Sequence, residues 1–479
     1  MKNKKMYGIV CLLLCVSLCG CSRNTKQSTN EVEKQMDDTL VISENTISSE
    51  KELEDLVLQS KELSVQMANG SFEDVVTKFS PLVASKLDES SLKQAYEQTT
   101  TKVGEFIEYH SSEVIKKTVD ETVIQIVLRY KENGIAISYT YNFLNEINGL
   151  WLNYSSIPED AKETTEFEEV KIQIGEEYPL DGMLTIPKDI VNPPVVILIQ
   201  GSGSTDMDET IGEVGNKPFR DIAYGLAEKG IATIRYNKRY YQYPETATDD
   251  ITIQDEVTND VNFAISYATS NEYFECDGVY ILGHSLGGML APFISQENKE
   301  VIGMISLAGS PRKLEDIILD QNLMRMSENM KAKETLSEET QNNEIQNEDY
   351  YVSAIKMVQD EIDKVKKVKR SDNSYILGIG SKYWYSLAQI DTPSIVKSLS
   401  IPMLFLQGDA DFQVFVDSDY KEWQSILEGN NNATYMLFPN LNHLFMTTNG
   451  LTDESEYNIN GNVSSEVIDN MADWIKSQK

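Results

Sequence analysis

The chain has 479 residues, 41% of them hydrophobic, enough for two or three domains with sizeable cores. Its 76 acidic against 42 basic side chains give a formal net charge of −34 at pH 7, which argues against nucleic acid as a partner, against electrostatic docking on an anionic membrane, and mildly against anionic substrates. Cys11, Cys15, Cys19 and Cys21 all fall in the first 21 residues, leaving Cys276 alone in the body, so that body has neither an internal disulfide nor a cysteine-rich zinc site.

Residues 1–21 read as a targeting segment. Lys2, Lys4 and Lys5 form a positive start, and residues 9–19 an apolar stretch too short to span a bilayer. The ending Leu18-Cys19-Gly20-Cys21 resembles a bacterial lipobox, which implies cleavage before Cys21, a lipid on Cys21 and an extracytoplasmic, membrane-anchored protein. Ordinary secretory cleavage is the alternative. Residues 22–50, rich in Ser, Thr, Asn and Glu without apolar period, read as a solvated linker.

Residues 51–155 read as a small α+β domain. Leu53, Leu56, Val57, Leu63 and Met67 mark a helix, and a second is expected near 72–79. The period then changes to two: Ile135, Ile137, Tyr139, Tyr141 and Phe143 alternate with smaller or polar residues, with Asn133-Gly134 and Asn148-Gly149 as hairpin-turn signals. This architecture, with its Gly149-Leu150-Trp151 ending, resembles the NTF2-like or cystatin-like modules that precede some secreted bacterial hydrolases. His110, the domain's one histidine, reads as structural.

From residue 168 strands and helices alternate, which predicts a largely parallel sheet covered on both faces. Residues 170–174 and 180–186 form an antiparallel lead-in pair, followed by strands at 195–200, 231–235, 279–282, 301–307, 403–407 and 434–438. Helices are expected at 219–228, 253–268, 416–427 and 467–475, the first capped by Gly230. Residues 311–395 interrupt the rhythm as a charged, largely helical insertion, its middle near 337–347 too polar to pack well. Its aromatics, Trp384 among them, are candidates to line an apolar pocket over the sheet's C-terminal edge.

The strand at 279–282 runs into Gly283-His284-Ser285-Leu286-Gly287, and a helical apolar period follows. Strand, Gly-x-Ser-x-Gly, helix is the context of a nucleophile elbow, whose turn is tight enough to demand glycine two before and two after the serine. A serine hydroxyl needs a base and an acid to orient it. Of three histidines, His110 lies in the other domain and His284 adjoins Ser285 and must point elsewhere. His443, in a loop just after a strand, is therefore the base. The acid falls between them in Gly408-Asp409-Ala410-Asp411, where Gly-x-x-Asp-x-x-Val resembles the acid loop of many α/β-hydrolases and selects Asp411, leaving Asp409 to the turn. Backbone donors for an oxyanion are expected at Leu286 and, from Gln200-Gly201-Ser202-Gly203, at Ser202.

Residues 200–209, Asn216-Lys217-Pro218-Phe219-Arg220-Asp221, Arg235-Tyr236-Asn237-Lys238-Arg239 and 383–401 together resemble bacterial α/β-hydrolase carboxylesterases related to dienelactone hydrolases and the serine aminopeptidase group. The resemblance spans residues 168–479 and implies hydrolysis of a small-molecule ester through an acyl-enzyme. A peptidase or amidase with the same triad, and a non-catalytic binding lipoprotein, are the rival readings. The charged segments 206–209 and Lys238-Arg239 carry no chemistry of their own and read as pairing and bracing the oxyanion loop. No phosphate loop, dinucleotide fingerprint or metal-binding histidine pair occurs in the sequence, so neither cofactor nor metal is expected.

Overall fold

The computed structural model describes residues 41–118, 121–131, 133–155, 164–334 and 345–478. The expected signal segment, the lipobox at Cys21 and most of the polar middle of the insertion lie outside these residues. By internal contacts the chain divides into two units, one of Ser22–Glu159 with Ile211–Gly215, the other built from Asp160–Thr210 and Asn216–Lys479.

The first unit opens with α1 (Val41–Ala68), which starts inside the span expected as linker. Three shorter helices follow, α2 (Glu73–Thr77), α3 (Pro81–Ala84) and α4 (Glu89–Thr100), and then a four-stranded antiparallel sheet, β1 (Phe106–Lys117), β2 (Glu121–Tyr130), β3 (Gly134–Asn142) and β4 (Ile147–Ser155), paired in sequence order. Ile135, Ile137, Tyr139 and Tyr141 of β3 are fully buried against Leu56, Leu63 and Met67 of α1, as their alternation predicts. The two tyrosines bury polar tips, and α1 supplies partners one turn apart: Ser64 Oγ lies 2.9 Å from the Tyr139 hydroxyl and Ser60 Oγ 2.9 Å from that of Tyr141. Phe143 departs from the pattern. It lies past the end of β3 and is 71% exposed, because the β3–β4 turn falls at Asn142–Glu146 with Asn145 at φ 60°, and Asn148-Gly149 is inside β4. His110 is exposed on edge strand β1.

The second unit is organised by an eight-stranded sheet in the order β14-β13-β10-β9-β7-β8-β6-β5. Its lead-in strands β5 (Phe167–Ile174) and β6 (Leu180–Pro187) are antiparallel, β6 joins β8 (Ala232–Tyr236) antiparallel, and β8, β7 (Val195–Ile199), β9 (Val279–His284), β10 (Val301–Leu307), β13 (Met403–Gly408) and β14 (Ala433–Phe438) run parallel. Every residue of β7, β8, β9 and β13 is buried, which is why β7, β9 and β13 read as apolar runs rather than alternations. Two-residue strands β11 (Tyr375–Ile376) and β12 (Ile379–Gly380) form a separate hairpin. The sheet is mixed but mostly parallel and follows a small antiparallel-sheet unit in the chain, the arrangement that the resemblance to α/β-hydrolases implies.

Helix α5 (Pro218–Glu228) starts with proline, whose missing N–H costs nothing in a first turn, and ends before Gly230 at φ +80°. The helix expected at 253–268 is a π turn at Gln254–Thr258 that continues as α7 (Asn259–Ser270); a four-residue turn, α6 (Arg239–Gln242), precedes it. α8 (Leu286–Glu297) follows the elbow and contains Pro292, which cannot donate to the Gly288 carbonyl one turn back; Ser306 Oγ of β10 donates to that carbonyl instead, at 3.1 Å. The insertion contains α9 (Leu314–Glu334), α10 (Ile345–Val365), the β11–β12 hairpin, α11 (Ser381–Ala388) and α12 (Thr392–Ser398). Trp384 is buried inside it, its Nε1–H donating to the Ile376 carbonyl at 2.8 Å, and Tyr383 packs edge-on against it. Trp384 is thus core and lines no open pocket. The chain closes with α13 (Lys421–Ile426) and α14 (Ser465–Ser477), whose apolar face lies on α5.

Candidate active site

Three catalytic candidates sit at the C-terminal ends of parallel strands, where the sheet delivers its loops to one rim. Ser285 occupies the single-residue turn between β9 and α8 with φ 53° and ψ −115°. A side chain at Gly283 would place its Cβ 2.1 Å from the Gly287 carbonyl oxygen, and one at Gly287 would place it 2.3 Å from that of Ile199. Both glycines are therefore steric requirements of the turn, as the motif predicts. The Ser285 N–H donates to the Leu307 carbonyl at 2.9 Å, which ties the elbow to β10.

Asp411 follows β13 and is buried. Its Oδ1 accepts from the backbone N–H groups of Gln413, at 2.8 Å, and Val414, at 3.0 Å, while Oδ2 accepts from Gln407 Nε2 at 2.8 Å and lies 2.7 Å from His443 Nδ1. The carboxylate is fully partnered and its bond to His443 sets the imidazole's orientation. His443 is 3% exposed, in a loop after β14 that the Asn442 side chain holds by accepting from the N–H groups of Leu444 and Met446. Asn440 and Phe445 flank it at φ 58° and 57°, a backbone strain that buried Phe445 sustains through packing. Asp409 is exposed and accepts the Asn440 N–H at 2.6 Å, the turn role its position suggests.

Leu286 is the first residue of α8, directly after the elbow, and Ser202 is in the loop after β7. That loop is clamped on both sides of Ser202. Glu209 Oε1 accepts the Gly201 N–H at 2.6 Å, Lys238 Nζ donates to the Gly201 carbonyl at 2.6 Å, and Glu256 Oε1 accepts the Gly203 N–H at 3.0 Å. Lys238 and Glu256 are themselves an ion pair at 2.8 Å. Burial works to raise the Glu256 pKa, but Lys238, the Tyr383 hydroxyl and the Gly203 N–H outweigh it and hold the carboxyl below its ordinary range. Tyr383 belongs to the insertion, so the insertion reaches the oxyanion loop through one carboxylate.

Of the segments 206–209 and Lys238-Arg239, Glu209 and Lys238 brace this loop, and the two cations take acids outside 206–209. Lys238 takes Glu256, Arg239 takes Asp260, and buried Asp208 takes Arg235, which also bonds Glu169 at 2.7 Å and Thr185 at 2.9 Å. Glu209 reaches a further residue, His284, with Oε2 3.0 Å from Nδ1. The side chain of His284 does point away from the base's role, yet its Nε2 lies 3.0 Å from the His443 carbonyl and the two rings stand 4.7 Å apart. Gln407 and Glu256 had no signal in the sequence, and Glu209 had one only as part of the charged segment 206–209, because their partners, side chains and backbone groups alike, are brought within reach only by the fold.

Cys276 is half-buried and unpaired, its thiol pKa raised by burial. Among the described residues no group of His, Cys, Asp or Glu is arranged to hold a metal ion, and no helix is long and apolar enough to cross a membrane.

Residues 193–449 match the family described as alpha/beta hydrolase fold, and residues 60–150 match one described as a protein of unknown function, DUF3887. The chain is 31% identical over 413 residues to Esterase EstD of Thermotoga maritima, an alignment covering 85% of this chain and 92% of that one. Among solved structures, Est1E from Butyrivibrio proteoclasticus is similar with a TM-score of 0.40 at 15% identity, over 64% of this chain and 98% of that one. The Pyrococcus furiosus esterase PF2001 is similar with a TM-score of 0.37 at 14% identity, over 65% and 91%.

Proposed function

This chain belongs to the α/β-hydrolase fold family and is a carboxylic ester hydrolase, and we propose that it works through an acyl-enzyme on Ser285 with His443 as base and Asp411 as the acid that orients it. The observation that carries this reading is the buried 2.7 Å contact of Asp411 with His443 Nδ1, on the rim where Ser285 is held in a strained elbow. Ser285 Oγ attacks the ester carbonyl carbon as His443 Nε2 takes its proton. The carbonyl oxygen becomes an oxyanion that accepts from the Leu286 and Ser202 N–H groups. The C–O bond to the alcohol then breaks, and His443 gives the alcohol oxygen its proton. Water repeats the sequence on the acyl-enzyme and releases the acid.

A fluorophosphonate probe tests the nucleophile: wild type is labelled and Ser285→Ala is not, whereas equal labelling of both sinks the assignment. We further infer that a lipid on Cys21 anchors the enzyme outside the cytoplasmic membrane. Cys21→Ser then releases it to the soluble fraction or blocks its processing, and unchanged membrane retention with lipid labelling rejects the anchor.

A further inference from the structure

We propose that His284 is held as an imidazolium by Glu209, and that this buried pair is a positioning device that ties the oxyanion loop to the base loop and sets a fixed positive charge beside the triad. The proposal rests on the reading of Ser285, His443 and Asp411 given above.

Valence decides the protonation of the His284 ring. A neutral imidazole carries one N–H and one bare lone pair. Both ring nitrogens of His284 face oxygen acceptors: Nε2 lies 3.0 Å from the His443 carbonyl, and Nδ1 lies 3.0 Å from Glu209 Oε2. A bare Nε2 would turn its lone pair on the His443 carbonyl, so Nε2 carries a proton; a bare Nδ1 would then leave an electron-rich nitrogen 3.0 Å from a carboxylate oxygen, with the His284 side chain only 6% exposed to water that could relieve it. Protonation of both nitrogens turns both contacts attractive. At Nδ1 the oxygen lies off the direction of a hydrogen bond, so that contact is an ion pair.

The titratable groups facing the ring come from three loops, Glu209 after β7, Asp411 after β13 and His443 after β14. Burial alone would lower the His284 pKa. Glu209 foremost, then the His443 carbonyl and Asp411, outweigh burial and place it above the ordinary histidine value.

Glu209 does two things at once. One oxygen holds His284, and the other accepts the Gly201 N–H at 2.6 Å beside the proposed oxyanion donor. Its own backbone is in the left-handed region at φ 52°, a strain that a residue with only a surface role has no reason to bear. Through Glu209 and His284 the loop after β7 is linked to the main chain of His443.

Untagged protein labelled with ¹⁵N at histidine alone tests this, because the sequence has only three histidines. His110→Gln and His443→Gln assign the signals. In wild type at pH 8, His284 shows protons on both ring nitrogens; a folded wild type with a single proton on His284 overturns the proposal without need of an active-site variant. In the folded Glu209→Gln variant, kcat for a small ester falls about tenfold with KM little changed. An unchanged kcat in that variant reduces the pair to a structural contact and overturns its positioning role. If the variant does not fold, the wild-type spectrum decides. Labelling by fluorophosphonate that survives Ser285→Ala would instead overturn the triad, and leave the protonation of His284 to be read independently.

Discussion

Ser285 shows what a single residue costs the fold. Its φ of 53° and ψ of −115° place a side-chain-bearing residue where glycine belongs, and the packed glycines around it leave no other path from β9 to α8. Such strain is worth about 1–3 kcal/mol. Ser285→Ala removes the nucleophile and keeps the strain, whereas Ser285→Gly removes both, at an entropic cost of about 0.5–1 kcal/mol in the unfolded chain. Urea unfolding should therefore find Ser285→Gly more stable than Ser285→Ala by about 1 kcal/mol. Equal or reversed stabilities would show that the elbow is relaxed in solution.

At the scale of elements, the insertion meets the oxyanion loop at a hydroxyl. Tyr383 in α11 faces Glu256, which holds Lys238 and the Gly203 N–H. Tyr383→Phe keeps the packing on Trp384 and deletes one partner of that carboxylate. We expect kcat on a short ester to fall about fivefold, the effect of about 1 kcal/mol, with KM and thermal midpoint little changed. An unaltered kcat would make the insertion a bystander to the oxyanion loop. The same element marks a limit of sequence reading. Aromatics next to a predicted site read equally well as pocket lining or as core, and only the Ile376 carbonyl bonded to Trp384 Nε1 decides for core. The elbow and the parallel strands were legible because each carries its own signature, steric for Gly283 and Gly287, compositional for the buried runs. β1 was not, since it is an edge strand with register shifts and mostly exposed residues, and so no alternation survives. α4 buries only Leu92 and Tyr96, too few to mark a period, although Asp88 caps it.

The whole molecule carries a formal charge of −34, yet the buried acids of the hydrolase unit are mostly matched: Glu169 and Asp208 by Arg235, Glu256 by Lys238, Asp260 by Arg239. Asp221 in α5 differs. Burial, with Asp208 nearby, pushes its pKa up to about 6 despite the Val463 N–H and the charges of Arg220 and Lys217. An acid whose pKa is raised on folding binds its proton more tightly in the folded state. Its contribution to stability is thus fully favourable below the ordinary carboxylate range and is lost as pH rises through about 6. Asp221→Asn keeps an acceptor for Val463 and cannot ionise. It should be more stable than wild type at pH 8 by up to about 2–3 kcal/mol, at about 1.4 kcal/mol for each pKa unit, with the gain vanishing below about pH 4. Paired urea titrations at the two pH values check this, and a gain independent of pH would refute the assignment.

Pro292 bears on how this sequence can drift. With no N–H at that position, the Gly288 carbonyl depends on the Ser306 hydroxyl of β10. An ancestor could have acquired the serine first at little loss, but proline first would have left a buried carbonyl without a donor. The two positions therefore form an epistatic pair with a preferred order of change. Among descendants, loss of the hydroxyl at 306 should follow, and not precede, replacement of the proline in the helix behind the nucleophile.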